Sequence, residues 1–191
     1  MSEELAIESL REPMSIGKVF AESGLFPDIK SQSQAVVKIL AGKELGLSPF
    51  QSMKDIYIVG GKLALQANAL ASLIKTSKKY DYKVEVLTET ECKIIFLRVD
   101  KEKVEQIGLS EFTFKDAAKA GLVNKDNWKN YPRNCLFARA LSNGVRWYCP
   151  DAACGFYVEE EIESLYNNDQ KQTITITKDG DVTNGETKAA V

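Results

Sequence analysis

The run Asn127-Trp128-Lys129-Asn130-Tyr131-Pro132-Arg133-Asn134 interleaves aromatic rings, cations and carboxamides. Nucleobases offer flat π-faces and phosphates offer negative charge, so this is the residue chemistry that holds a single nucleic-acid strand. Arginine suits that task because its planar fork bridges phosphate oxygens. In the stretch that follows, Arg139, Asn143 and Arg146 fall at i, i+4 and i+7, one stripe over two helical turns. Leu136, Ala140 and Trp147 fall on another face, where they are free to bury. The competing structural readings are specific. Trp128 and Trp147 are both large enough to be core residues, with Trp147 the better placed to hold its helix against the rest. The arginines could instead pair with the acids between Glu159 and Glu163.

The chemistry that is missing narrows the field. The chain contains no histidine, so no Ser-His-Asp or Cys-His catalytic arrangement and no histidine-ligated metal can be assembled within it. It has no phosphate-binding Walker loop, no G-x-G-x-x-G and no G-x-S-x-G. Carboxylate chemistry in the manner of a metal-dependent nuclease would need acids clustered with a lysine on strands, a pattern not seen here. The expectation is therefore a non-enzymatic protein. Cys149 and Cys154 are spaced so that a metal pair is conceivable, but a closed zinc site needs four ligands; reduced, partly buried thiols are the simpler expectation for all four cysteines, Cys92 and Cys135 included.

Net charge is −2 over 191 residues, but the distribution is uneven. Residues 14–150 carry 21 bases against 14 acids, while residues 151–191 carry nine acids and three bases. A basic body between acidic ends is compatible with a polyanionic partner, and equally with an ordinary solvated surface. No apolar run is long enough to cross a bilayer, and the acidic start lacks the basic region of a secretory signal, so the cytoplasm is expected.

The elements that must position these residues read as an α+β domain. Residues 1–12 are expected to be a flexible N-terminus, residues 13–166 a single core domain and residues 167–191 a disordered acidic tail, polar and glycine-punctuated. The periodicity predicts a first helix over Ser15–Ser23 and a second over Gln32–Leu45, with Val36, Ile39 and Leu40 on its apolar face and Lys38 off it. Ser48 and Pro49 open a short third helix. Two β-rich runs, Ile56–Val59 and Lys62–Leu65, flank Gly60-Gly61 and read as a tight hairpin. The other reading of Gly60-Gly61-Lys62 is a phosphate-cradling loop. A helix over Ala67–Lys78 carries Asn68, Ser72, Lys75 and Lys79 on its polar side. Three antiparallel strands follow, near Tyr80–Val86, Cys92–Val99 and Gln106–Phe114, with Thr113 and Asp116 as a capping box for a short helix ending at Gly121. The last long helix spans Arg133–Tyr148 and a further helical piece Glu159–Tyr166. Thr173–Thr177 could pair as an edge strand.

Three motifs carry a resemblance. Residues 38–53, KILAGKELGLSPFQSM, contain a K-x-x-G-L-x-P element leading into a hairpin with a Gly-Lys; residues 139–151, RALSNGVRWYCPD, are similar to an A-x-A-L-R-x-x-F-P helix; residues 155–161, GFYVEEE, are similar to a G-x-Y-T-x-D-E close. In this order, over about residues 25–165, the chain resembles the phage RecT and Bet single-strand annealing proteins. Tyr148-Cys149-Pro150 stands where the family has an aromatic-proline ending, and the tail is shorter than the partner-binding C-terminal domain of the larger relatives. The resemblance implies ATP-independent binding of single-stranded DNA and annealing to a duplex, by a homo-oligomer in ring or helical filament form. It implies no cofactor, with magnesium dependence left open, and a phage exonuclease or host single-strand-binding protein as partner, in the host cytoplasm. The residues matching family motifs at groove positions are Lys54, Lys62, Arg139 and Arg146. Trp128, Lys129, Arg133 and Asn143 join them on their own chemistry, and Lys75 with Lys79 form a secondary face. The alternative is a phage-encoded interaction module that binds a host protein through the acidic C-terminal region.

Overall fold

The first helix, α1 (Glu3–Glu22), begins well before Ser15 and runs through Pro13. A proline inside a helix forfeits one backbone hydrogen bond; here the helix persists because it packs along α2 (Gln32–Glu44). Gly17 sits at the crossing: a Cβ there would lie 2.8 Å from Val36 Cγ2. Ser31 caps α2 by accepting the Gln34 N–H, and Gly46, at φ +72°, follows its end. Ser48 and Gln51 form a full capping box at α3 (Pro49–Asp55). The computed structural model describes residues 3–59, 61–101, 103–153, 156–158, 174–176 and 182–184.

Within this helical part the sequence pattern misplaces one side chain. Lys38, expected off the apolar face, is 0% exposed and lies on the same face of α2 as Ala35, Ile39 and Gly42. Its Nζ donates to Asp28 Oδ2 at 2.9 Å and to the Met53 carbonyl at 2.8 Å, and lies 5.5 Å from the Tyr57 ring centroid. Asp28 Oδ2 also accepts the Ile58 N–H at 3.3 Å. One buried ion pair thus joins α2, the end of α3, the loop before α2 and the first strand. Burial lowers the Lys38 pKa, opposed by the hydrogen bond and charge of Asp28.

Strands β1 (Ile56–Val59) and β2 (Lys62–Leu65) pair antiparallel as expected, with Gly61 at φ +76° in the turn. β6 (Tyr157–Val158) adds to β2 in parallel, a pairing the sequence did not announce. Between them in the chain lie α4 (Ala67–Thr76) and the meander β3 (Tyr80–Leu87), β4 (Glu91–Asp100) and β5 (Lys103–Thr113), ordered β3-β4-β5 and antiparallel throughout. One extra residue bulges each ladder, Glu85 on β3 and Ile107 on β5. Thr113 and Asp116 make the capping box of α5 (Phe114–Lys119). A short α6 (Asp126–Asn130) precedes the long α7 (Pro132–Tyr148), which is followed by a 3-10 turn at Pro150–Ala152. The result is the α+β domain read from the sequence: hairpin, three-stranded antiparallel sheet and packed helices. β7 (Ile174–Ile176) and β8 (Val182–Asn184) pair with each other inside the stretch expected to be a tail. The rest of that stretch, and the expected helical piece over Glu159–Tyr166, lie outside the described residues.

The main core lies between the sheet and α7. Cys92, Ile94 and Phe96 of β4 face Leu136, Ala140, Leu141 and Val145. Contact is close because two glycines make room. A Cβ on Gly144 would sit 2.0 Å from the Phe96 ring, and one on Gly108 would sit 2.2 Å from the Tyr148 ring. Ser110 Oγ donates to the Ala140 carbonyl at 2.7 Å across the same buried seam. Glycine costs about 1 kcal/mol against alanine inside a helix, so Gly144 is a local loss accepted for this approach. Gly144→Val is expected to lower stability by roughly 1–3 kcal/mol through overpacking, read as a lower urea midpoint with an unchanged slope.

Candidate nucleic-acid interface

The segment singled out by its chemistry reaches a surface recess through Asn127, Tyr131 and Asn134, not through Trp128, Lys129 or Arg133. An open groove of about 430 Å³ lies between the start of α4 and the α6–α7 junction. One wall carries Gln66 and Asn68; the other carries Asn127, Tyr131 and Asn134, with Phe137 also lining it. The Tyr131 ring is 64% exposed, whereas Phe137 is half-buried and packs 6.3 Å from the Tyr82 ring.

Both long helices that meet here begin without a side-chain cap. Gln66 precedes α4 and Tyr131 precedes α7, and neither side chain accepts from its helix's first turn. The Gln66 amide is used elsewhere, its Nε2 donating to Tyr57 Oη at 2.7 Å, which ties the β1–β2 hairpin to the groove wall. Unsatisfied N–H groups and the helix dipole leave these two starts partially positive. Arg133 and Lys129 add full charges nearby. Both are exposed; Lys129 has Asp126 Oδ1 at 3.9 Å, a loose surface contact worth little.

Trp128 is the first correction: it is 2% exposed, with its ring centroid 6.3 Å from Phe112. It cannot serve as a stacking platform, because α6 turns it inward to close the core beside the sheet. Trp147, read as the core tryptophan, is 58% exposed. Arg139 is the second correction. It is 8% exposed, Asn143 half-buried and Arg146 exposed, so the polar stripe of α7 is not one outer face. α7 packs against the sheet, α4 and β6 together, and a helix enclosed on several sides buries part of its polar stripe. Arg146 lines a separate small cleft with Ser142 and Phe156.

The remaining lysines are scattered. Lys54, at the end of α3, has Asp55 Oδ1 at 3.9 Å, and Lys62 is exposed at the start of β2. Lys75 is ion-paired with Asp81, donates to the Tyr82 carbonyl at 2.8 Å and lies over the Tyr82 ring. Lys79 is ion-paired with Asp151, which also accepts from Tyr80 Oη at 2.8 Å. Those hydrogen bonds raise the Lys79 pKa and lower that of Asp151. The Lys75–Lys79 face is thus already engaged with protein carboxylates.

No family model, curated protein or solved structure matches this chain.

Cys92, Cys135 and Cys149 are buried and not in disulfides, and Cys154 lies outside the described residues. Burial pushes the Cys92 thiol up to about 11 and the Cys149 thiol up to about 12, so both are protonated and poorly nucleophilic at neutral pH. Among the described residues no group of three or more Cys, Asp or Glu side chains could hold a metal ion, and no helix is long and apolar enough to cross a membrane. Of the polar groove residues, Asn127, Tyr131 and Asn134 lie in the run picked out by its chemistry and Asn68 on the expected polar side of α4; Gln66 alone was not singled out by sequence. The available signal was Gln66 itself, a poor capping residue standing where a helix starts.

Proposed function

We propose that the chain binds single-stranded DNA across the α4/α6–α7 groove and anneals complementary strands without ATP. The observation that supports binding is the convergence, in one open recess, of four carboxamides, an exposed tyrosine and two uncapped helix starts, flanked by exposed Lys129 and Arg133. The resemblance of residues 25–165 to the RecT and Bet proteins supports annealing specifically. In this reading cations and helix ends hold the phosphates of one strand, most of its bases stay available, and pairing with a second strand drives the reaction. Lys54, Lys62 and Arg146 extend the same electrostatic attraction, and Arg139 acts as a buried support of α7. A homo-oligomeric ring or filament, and an exonuclease or single-strand-binding protein as partner, belong to the same proposal.

The test is annealing of two complementary fluorescent oligonucleotides without ATP, with electron microscopy of the particles formed. Annealing no faster than the spontaneous rate would remove the proposal. Affinity for a single strand is expected to fall steeply with salt, by a slope of about 0.7 per phosphate contact. Lys129→Ala with Arg133→Ala is expected to reduce that slope by roughly 1.4, whereas Lys75→Ala leaves it unchanged.

A further inference from the structure

Building on the DNA-binding reading, we propose that the groove is a nucleobase subsite, taking one unpaired base with its edge against the carboxamides and its face against Tyr131. The lining decides the class of ligand. Among the described residues no lysine, arginine or carboxylate lines the recess; its polar side chains are the amides of Gln66, Asn68, Asn127 and Asn134, with the Tyr131 hydroxyl and the Cys135 thiol. A fully charged ligand group would find amide donors and helix ends there but no opposite full charge. A neutral, flat group with donors and acceptors along its edge is met by everything present.

Hydrogen-bond accounting points the same way. Asn127 Oδ1 accepts the Trp128 N–H at 2.9 Å, which leaves its amino group to donate. Gln66 Nε2 donates to Tyr57 Oη, which leaves Gln66 Oε1 to accept. No side-chain hydrogen bond ties Asn68 or Asn134 to another described residue. A carboxamide offers two donors and an acceptor, and rotation about its last bond exchanges them. Two such groups on opposite walls can therefore meet the edge of any of the four bases, as a sequence-independent binder requires.

Size and surroundings fit as well. The groove, at about 430 Å³, falls within the roughly 300–1,000 Å³ of small-ligand sites. Tyr131 projects a mostly exposed ring beside it, and base–aromatic stacking strengthens binding by about tenfold per base or more. Lys129 and Arg133, on the elements that carry Asn127, Tyr131 and Asn134, are exposed for the flanking phosphates. Holding one base in each protomer leaves its neighbours unstacked and outward, ready for a second strand.

The experiment compares a labelled mixed-sequence oligonucleotide with one of equal length in which every base is replaced by hydrogen, by fluorescence anisotropy at one salt concentration. Wild type is expected to bind the base-bearing strand about tenfold tighter. Tyr131→Ala with Asn134→Ala is expected to lose that preference, binding both strands as wild type binds the abasic one. Asn68→Ala, on the opposite wall and exposed, is expected to weaken the preference severalfold, and decides the matter if the double variant has a lowered urea midpoint. Equal binding of both strands by wild type, or full preference kept in the variants, overturns the subsite while leaving DNA binding intact. Failure of wild type to bind either strand overturns both.

Discussion

Asp28→Ala is expected to destabilise the protein by roughly 3–5 kcal/mol, the cost of leaving a buried charge without its partner. Lys38 is wholly buried, and its ammonium has two polar contacts, the Asp28 carboxylate and the Met53 carbonyl. Removing the carboxylate deletes the opposite charge and also the acceptor of the Ile58 N–H. The double variant Asp28→Ala with Lys38→Met is expected to recover most of the loss, since a hydrophobic chain of similar length fills the same space without a charge to desolvate. The pH dependence has a definite sign. Burial holds the Lys38 pKa below its ordinary value of 10.5, so the unfolded chain binds that proton more tightly than the folded one. Stability from this group is full above the ordinary value and declines as pH falls through the lowered one. In Asp28→Ala both influences that raise the Lys38 pKa disappear, which moves the decline to lower pH. The deficit relative to wild type is expected to shrink from neutral to alkaline pH in urea denaturation. A single-variant cost below about 1 kcal/mol would show that the pair contributes nothing distinctive.

Lys38 also shows where pattern reading of this chain stops. The elements set by neighbours in sequence were legible: the Ser48 cap of α3, the Thr113–Asp116 capping box, the hairpin about Gly61 and the three strands β3 to β5 are all local decisions. What buries Lys38 is Asp28 in a loop ten residues earlier and a carbonyl fifteen residues later, and no periodicity encodes either. A lysine with a remote carboxylate partner is indistinguishable in sequence from one pointing to water. The β2–β6 pairing is hidden for the same reason, since two residues of β6 carry too little pattern to declare a strand.

One wall of the candidate groove was legible in the sequence as a segment. Asn127–Asn134 forms one wall of the groove, but the opposite wall, Gln66 and Asn68, comes from an element about sixty residues away. The stripe on α7 failed because amphipathicity presumes one buried side, whereas α7 contacts the sheet, α4 and β6. Gly144 decided the orientation. By letting the helix down onto Phe96 it brings Tyr148 to the sheet, with ring centroids 5.8 Å apart. Trp147, about 100° around the helix from Tyr148, is thereby left outside.

The two tryptophans offer the sharpest separation of core from surface, because they are the only two in the chain. Trp128→Ala is expected to cost roughly 3–5 kcal/mol, since it empties a packed position where the ring meets Phe112. Trp147→Ala is expected to cost less than about 1 kcal/mol, because its ring is more than half in water and its aromatic contact is with its own neighbour Tyr148 at 6.2 Å. Fluorescence gives an independent reading through conservative variants. With Trp147→Phe, the remaining Trp128 is expected to emit at shorter wavelength and to resist quenching by acrylamide. With Trp128→Phe, the remaining Trp147 is expected to emit at longer wavelength and to quench readily. Under the proposed DNA-binding reading, any loss of affinity in Trp128→Ala is to be judged on the fraction still folded, since the buried ring anchors α6, which carries Asn127. The reverse pattern, a quenchable Trp128 whose removal leaves the urea midpoint unchanged, would return that ring to the surface and with it the direct stacking role that its burial excludes.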